Sequence, residues 1–178
     1  MRALTVLTVC LVAFAPSGHL SAAAELKVGK MAPDFTLQAS NGNTHRVSDF
    51  RNKQAIVLAW FPKAYTRGCR LECKSLAEHG DLIKRYDVAY FMISVDPLDE
   101  NTRFAEQQHA DFPLLSDPTK KTADAYGVLG MLGMANRWTF YIGKDGTIQA
   151  IDKNVKPATS AEDMAAKLHE LGVSMRGR

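Results

Sequence analysis

The pattern of apolar positions predicts a core of buried strands. Residues 55–61 and 88–95 are almost wholly apolar, as expected for strands that are buried on both faces of a sheet. Residues 112–115 form a shorter run of the same kind. Two hairpins are predicted where the turn sequences Asn41-Gly42 and Lys144-Asp145-Gly146 separate short candidate strands.

Helical spacing is found between these strands. From Thr66, small and apolar residues recur every three or four positions and predict one helix that ends near Arg85. Further helices are predicted over residues 99–109, 120–126 and 160–171. The alternation indicates an α/β fold, with a central mixed β-sheet flanked by helices and an N-terminal β-hairpin. The helical stripe comprises Cys69, Cys73, Leu76, Gly80 and Ile83.

The first 24 residues have the pattern of a secretory signal peptide. Arg2 precedes an apolar run over residues 3–15, which is shorter than the roughly 20 residues that span a bilayer. Three alanines then offer a cleavage site that ends at Ala24. We therefore expect a signal peptide at 1–24, a single domain at 25–178 and export to the periplasm or another extracytoplasmic space, without stable membrane insertion. Cys10 lies inside the apolar run and is expected to have no chemical role.

Charge and cysteine content narrow the possible functions. Loss of residues 1–24 would remove Arg2 and no acid, so the formal charge would fall from +3 to +2. This balance does not favour binding to nucleic acid or to a membrane surface. The remaining chain would keep Cys69 and Cys73, in a compartment where disulfides persist. A bridge that closes so short a loop stabilises little, so their role is predicted to be chemical.

Cys69 is predicted to be a reactive thiol. If Thr66 is the N-cap of the helix, Cys69 is its third residue, where free backbone N–H groups and the positive end of the helix favour an anion. The anion at this position would be a thiolate, and a helix N-terminus is a known setting for reactive cysteines.

Several motifs resemble those of one enzyme family. The run Pro62-x-x-x-Thr66-x-x-Cys69 resembles the active-site pattern of the peroxiredoxins. Arg137-Trp138-Thr139-Phe140 is similar to the segment that carries the catalytic arginine of that family. The resemblance extends over residues 27–172 and is strongest to the Q-type, or bacterioferritin-comigratory, subgroup. Other similar segments are Pro33-Asp34-Phe35, Ser94-Val95-Asp96, residues 112–117 and Tyr126-Gly127-Val128.

The resemblance implies a thioredoxin-like fold and the thiol-dependent reduction of hydrogen peroxide, organic hydroperoxides or both. Cys69 would be the peroxidatic cysteine, whose thiolate attacks the O–O bond and becomes a sulfenic acid. Thr66 would hydrogen-bond the thiolate or the peroxide, and Pro62 would shield the sulfur from water. Arg137 would hold the thiolate and the departing oxygen with fixed, permanently charged donors.

Cys73 departs from the family pattern. In Q-type members that resolve within one helix, the second cysteine usually stands five residues after the first, where this chain has Lys74. Residues four apart on a helix have Cβ atoms about 5–6 Å apart, whereas a disulfide needs about 3.5–4.5 Å. Two hypotheses therefore stay open. Either Cys73 resolves the sulfenic acid after local unwinding, or it packs in the core while an external thiol resolves.

Two other functions are alternatives to the peroxidase. The pair Cys69-x-x-x-Cys73 also resembles the Sco-type copper chaperones, whose third ligand is a histidine just before a late strand. Here that place holds Asn136-Arg137, and an arginine repels a cation. A general thiol–disulfide oxidoreductase of the cell envelope would favour C-x-x-C spacing. Met131 and Met134 are expected to pack in the core or line a pocket.

The expected partners are a peroxide substrate and a thioredoxin-like or other dithiol reductant. The histidines lack metal-ligand spacing, and no glycine pair opens a helix as a phosphate loop would. The sequence thus shows no site for a metal, flavin or nucleotide. We expect a monomer or a weak homodimer.

Overall fold

The computed structural model describes residues 26–177. The predicted signal peptide and Cys10 lie outside these residues. Within them, no helix has the length and apolar character needed to cross a membrane.

The described residues form a seven-stranded mixed sheet in the order β2-β1-β5-β4-β3-β6-β7. The central strands β3, β4 and β5 run parallel, while β1 pairs antiparallel with β5, and β6 with β3. Both predicted hairpins are confirmed, β1 with β2 and β6 with β7. The strands are β1 (Thr36–Ala39), β2 (Thr44–Arg46), β3 (Ala55–Trp60), β4 (Val88–Ser94), β5 (Leu114–Ser116), β6 (Thr139–Ile142) and β7 (Ile148–Asp152).

Helices cover both faces of the sheet and divide the interior into two cores. Successive side chains of β3 point to opposite faces, so Val57 and Ala59 join one core and Leu58 and Trp60 join the other. The first core contains residues of α1, α2, α3 and α5, and the second contains Ala123 of α4. The helices are α1 (Arg67–His79), α2 (Asp81–Lys84), α3 (Leu98–Gln107), α4 (Lys121–Ala125) and α5 (Ser160–Glu170).

The single helix predicted from Thr66 to Arg85 is interrupted at Gly80. The structure ends α1 at His79 and starts α2 at Asp81. A tight turn forms here because the Ile83 N–H donates to the Gly80 carbonyl at 2.9 Å. A Cβ on Gly80 would lie 2.5 Å from the Leu76 carbonyl oxygen and 2.7 Å from Tyr90 Oη. The apolar stripe continues through the break, which is why periodicity alone did not reveal it.

The topology brings three segments to one edge of the sheet. Strands β3 and β4 are parallel, so the loops that follow them leave from the same edge. Strand β6 runs antiparallel to β3, so the segment that precedes β6 arrives at this edge as well. The Trp60 N–H donates to the Trp138 carbonyl at 2.9 Å, and the Phe61 N–H donates to the Ile93 carbonyl at 2.9 Å. The edge therefore collects Pro62, Asp96 and Arg137.

Candidate active site

The sulfur of Cys69 lies at the start of α1, against the guanidinium of Arg137. Cys69 is the third residue of α1 after the N-cap Thr66, as predicted, and it is fully buried. Arg137 Nη2 donates to Cys69 Sγ at 3.1 Å. The structure thus brings together two residues that are 68 positions apart in the chain. This hydrogen bond places a permanent positive charge directly beside the sulfur.

Arg137 bridges two groups that lie one turn apart on α1. Its Nη2 contacts Cys69, while its Nη1 forms an ion pair with Glu72 Oε2. The planar guanidinium can bind both at once because its donors have a fixed fork geometry. The side chain of Arg137 is 17% exposed whereas that of Glu72 is fully buried. Arg137 is therefore the charged group through which the site meets solvent.

Gly68 makes room for this arrangement. A Cβ at Gly68 would lie 3.0 Å from Arg137 Nη2 and 3.9 Å from Pro157 Cγ. The backbone at Gly68 has no positive φ, so the need for glycine comes from space rather than from conformation. The sequence motifs predict no role for Gly68, although this glycine directly precedes the candidate nucleophile.

Glu72 is held between α1 and the start of α5. Burial raises its pKa to about 7, and the ion pair with Arg137 and a hydrogen bond from Ser160 oppose that rise. Ser160 Oγ donates to Glu72 Oε1 at a long 3.5 Å, and Ser160 is the first residue of α5. The neighbouring Ala161 N–H donates to Ser75 Oγ of α1 at 3.1 Å. These contacts fix α1 against α5, and neither serine was identified from the sequence.

Cys73 packs one turn after Cys69 along α1. Both cysteines are free thiols, and Cys73 is fully buried in the core that also contains Leu76 and Ile83. Burial raises the pKa of the Cys73 thiol to about 12, and the neighbouring Glu72 and Cys69 add to the rise. Because the thiolate is the nucleophile, Cys73 is unreactive while α1 stays folded. A resolving role would therefore require the helix to open.

Asp96 fixes the loop that leads into α1. Its Oδ2 accepts the Ala64 N–H at 2.8 Å and the Ser94 hydroxyl at 3.0 Å. Its Oδ1 lies 3.4 Å from Lys63 Nζ, and the carboxylate is almost fully buried. Asp96 follows β4, so the loop after β3 is anchored to the adjacent strand. In the sequence, Asp96 belongs to a family-like segment, but that segment alone predicts no role for it.

Thr66 holds the predicted position at the start of α1, and its hydroxyl contacts the preceding loop. It is the N-cap residue of α1, yet its side chain makes no capping hydrogen bond to the helix. The hydroxyl instead donates to the Lys63 carbonyl at 3.1 Å and closes the turn before the helix. Its oxygen keeps lone pairs that can accept a hydrogen bond, but the structure pairs Thr66 with the loop and not with Cys69.

A surface depression of about 590 Å³ opens beside the site. Pro62 and Arg137 line it together with the loop over residues 129–136. Met131 does not pack in the core, since its side chain is fully exposed, and Leu132 is 84% exposed. The bridge between Leu129 and Ala135 makes this segment a small hairpin whose tip projects into solvent. The pocket part of the expectation agrees with the structure, since Met131 and Met134 both line the depression.

Comparisons with known proteins show the family to which the chain belongs. The model of the AhpC/TSA family matches residues 28–151, and the chain belongs to that family. Alkyl hydroperoxide reductase E from Mycobacterium tuberculosis is 37% identical over 127 residues, or 70% of this chain and 83% of the relative. Peroxiredoxin Bcp from Escherichia coli is 32% identical over 138 residues, or 74% of this chain and 88% of the relative.

Solved structures show the same fold. Peroxidoxin BcpB from Mycobacterium tuberculosis superposes with a TM-score of 0.73 at 29% identity and covers 82% of this chain and 97% of its own. A PrxQ variant from Xylella fastidiosa has a TM-score of 0.76 at 24% identity, with 83% and 98% covered. The fold is thioredoxin-like, as predicted.

Family membership confirms the predicted class of activity. The chain is a peroxiredoxin of the Q-type, or Bcp, group and a thiol-dependent peroxidase, with a peroxide as substrate and a thioredoxin-type reductant. The copper-chaperone and general oxidoreductase alternatives are not favoured. Arg137 stands beside Cys69, where a copper site would need a further ligand.

Proposed function

We propose that Cys69 is the peroxidatic cysteine and that Arg137 is its catalytic partner. The observation that carries this assignment is the 3.1 Å contact between Arg137 Nη2 and Cys69 Sγ at the start of α1. The thiolate of Cys69 attacks one oxygen of the peroxide, and an S–O bond forms as the O–O bond breaks. The sulfur becomes a sulfenic acid, and the second oxygen leaves as water or an alcohol after taking up a proton.

Arg137 stabilises the charge that moves during this step. Negative charge passes from the sulfur to the departing oxygen, and a guanidinium already placed at the sulfur can interact with both atoms. Glu72 fixes the orientation of Arg137, Pro62 lines the depression that Arg137 also lines, and Thr66 closes the turn that precedes the helix. Water is displaced from a sulfur that is fully buried, so the charge interactions are strong.

Cys73 is proposed to resolve the sulfenic acid. Its sulfur attacks the Cys69 sulfur, an S–S bond forms, and the hydroxyl leaves as water. A dithiol reductant then restores both thiols. The helix contacts described above must loosen first, because Cys73 is fully buried and its thiol stays protonated in the folded form.

Rapid mixing of the reduced protein with hydrogen peroxide and with cumene hydroperoxide tests the assignment. Trp60 lies at the end of β3, and Trp138 directly follows Arg137 in the chain, so their fluorescence reports on this edge of the sheet. A fast phase that depends on peroxide concentration and is absent in Cys69→Ser is the expected result. A phase no faster than that of a free thiol would refute the assignment.

The matched variant Cys73→Ser separates oxidation from resolution. It should keep the fast peroxide phase but accumulate sulfenic acid, which a dimedone adduct on Cys69 would detect by mass. The wild type should instead show a Cys69–Cys73 disulfide after one equivalent of peroxide. If the wild type forms no such disulfide, an external thiol resolves and the role of Cys73 is wrong.

We further propose that the enzyme acts outside the cytoplasm as a monomer or weak homodimer, without binding nucleic acid or inserting stably in a membrane. The charged start, apolar run and alanine-rich end of residues 1–24 support this location. N-terminal sequencing of protein from a periplasmic extract should begin near Glu25, and an intact Met1 would contradict cleavage. Sedimentation over a range of concentrations tests the oligomeric state.

A further inference from the structure

The outer face of α1 carries a basic patch over the reactive helix turn. Arg67, Arg70, Leu71 and Lys74 are all exposed and recur at helical spacing along this face. Together with Tyr65 and Gln108 they line a shallow depression of about 400 Å³. We refer to Arg67, Arg70, Leu71 and Lys74 as the α1 patch.

The positive charge of the α1 patch is poorly neutralised within the described residues. Lys74 lies 3.8 Å from Glu78, but both side chains are more than half exposed, so water screens the pair. The guanidinium of Arg70 lies over the Tyr65 ring, 5.5 Å from its centroid, and donates to the Tyr65 carbonyl. Glu72 is buried and bound to Arg137. Over the first two turns, α1 therefore presents cations to solvent.

The patch lies where a reductant has to approach. Cys69 and Cys73 are both fully buried, so an external thiol reaches either sulfur only after the first turns of α1 open. Arg67, Arg70 and Leu71 belong to those same turns. A partner bound to the α1 patch would thus be held on the segment that exposes the sulfurs.

We propose that the α1 patch docks a dithiol protein whose reactive thiols are surrounded by acidic side chains with an apolar centre. Acidic groups complement Arg67, Arg70 and Lys74, and the apolar centre covers Leu71. The inference rests on the proposed function, since it specifies the reductant of the same site. Opposite charge mainly accelerates encounter, by about tenfold or more at low ionic strength.

The chemical step at this surface is a thiol–disulfide exchange. A thiolate of the partner attacks one sulfur of the Cys69–Cys73 disulfide, a mixed disulfide forms, and the other cysteine leaves as a thiolate. The second thiol of the partner then attacks the mixed disulfide and releases the remaining cysteine. Two electrons pass from the partner to the peroxidase, and the partner is left oxidised.

Two synthetic peptides provide a probe that differs only in charge. Both contain the segment Cys-Gly-Pro-Cys, flanked on each side by two glutamates in one peptide and two lysines in the other. The protein is the Cys73→Ser variant without residues 1–24, with Cys69 converted by dithiodipyridine to a mixed disulfide. Release of thiopyridone then reports attack by the peptide, independently of peroxide and of resolution by Cys73. For each protein variant, the rate of thiopyridone release by a peptide is divided by the rate with uncharged dithiothreitol, which corrects for differences in access to Cys69.

In this background the glutamate peptide should react about tenfold faster than the lysine peptide at low salt. This ratio of the two rates should shrink in about 0.5 M salt, because salt screens the charges. The double charge reversal Arg67→Glu with Lys74→Glu should bring the ratio to about one or invert it. The matched control is Lys30→Glu with Lys53→Glu, two exposed lysines at the opposite edge of the sheet. It should retain the ratio within about twofold.

Two outcomes would overturn the proposal. The ratio could be unaffected by the change at Arg67 and Lys74, or it could fall equally in the Lys30 and Lys53 control, which would reveal a response to net charge alone. Either result leaves the peroxidase assignment intact. Conversely, if peroxide fails to oxidise Cys69, the peroxidatic role of Cys69 is refuted. The ratio of the rates with the two peptides does not depend on that result.

Discussion

The two cores of the molecule share strand β3 but have opposite character. On one face, the ring of Trp60 lies 6.0 Å from that of Tyr126, which lies 5.1 Å from that of Phe140. These rings belong to a cluster whose members are almost all apolar. On the other face, the core contains both cysteines and adjoins the buried carboxylate of Glu72. We call these the aromatic core and the reactive core. The comparison indicates that stability and reactivity are assigned to different faces of one sheet.

The difference matters because each core responds to a different kind of change. Apolar packing loses free energy in proportion to the volume removed. A network of charges and hydrogen bonds instead loses function when one donor moves. Substitutions in the two cores should therefore separate the rate of peroxide reduction from the free energy of unfolding.

The largest effect is expected from Arg137→Ala in the reactive core. Removal of the donor to Cys69 should slow the reaction with peroxide by about 10²–10³-fold. The buried Glu72 can take up a proton once its partner is gone, so the fold should survive. Stopped-flow fluorescence measures the rate, and circular dichroism verifies the fold. Arg137→Lys keeps the positive charge but loses the forked donors of the guanidinium, so its rate should lie between those of the wild type and Arg137→Ala. A rate within threefold of wild type in Arg137→Ala would remove Arg137 from the mechanism.

The converse test is Leu58→Ala in the aromatic core. Leu58 is fully buried in the middle of β3 and points away from Cys69. The truncation should lower the free energy of unfolding by about 2–5 kcal/mol. At temperatures where the variant is folded, its peroxide rate constant should stay within about twofold of wild type. Urea titration and stopped-flow mixing on the same preparation check both statements, and a large rate loss would show that the two cores are coupled.

How far the sequence predicts each core follows from the range of the interactions. The strand at residues 55–61 and both hairpins are confirmed because apolar runs and turn sequences are local signals. Cys69 and Arg137 were found through motifs, and the structure places them in contact. The contacts of Glu72 with Ser160 and of Gly80 with Tyr90 join distant parts of the chain, so no local pattern revealed them. Of the two placements expected for Met131, the structure shows the pocket and not the core, because an apolar residue is not obliged to be buried.

A smaller effect is expected in the pH dependence of stability. The pKa of Glu72 is raised to about 7, chiefly by burial, from an ordinary value of 4.5. Between these values the folded protein keeps the proton that the unfolded chain has lost, so this group makes folding less favourable as pH rises from about 4.5 to 7. Glu72→Gln removes the titration. Relative to that variant, the wild type should lose unfolding free energy across this window, as measured by urea titration at several pH values. Parallel curves would contradict the raised pKa.

The smallest effect tests the space beside the sulfur. In Gly68→Ala the new Cβ would lie 3.0 Å from Arg137 Nη2, so the guanidinium has to shift by a few tenths of an ångström. Alanine should stabilise the first turn of α1 by about 0.5–1 kcal/mol, yet the peroxide rate should fall by roughly three- to tenfold, which corresponds to about 1 kcal/mol in the barrier. A gain in unfolding free energy together with a loss in rate would show that the reactive core gives up stability to position Arg137. If the rate stays unchanged while stability rises, the close approach at Gly68 has no part in catalysis.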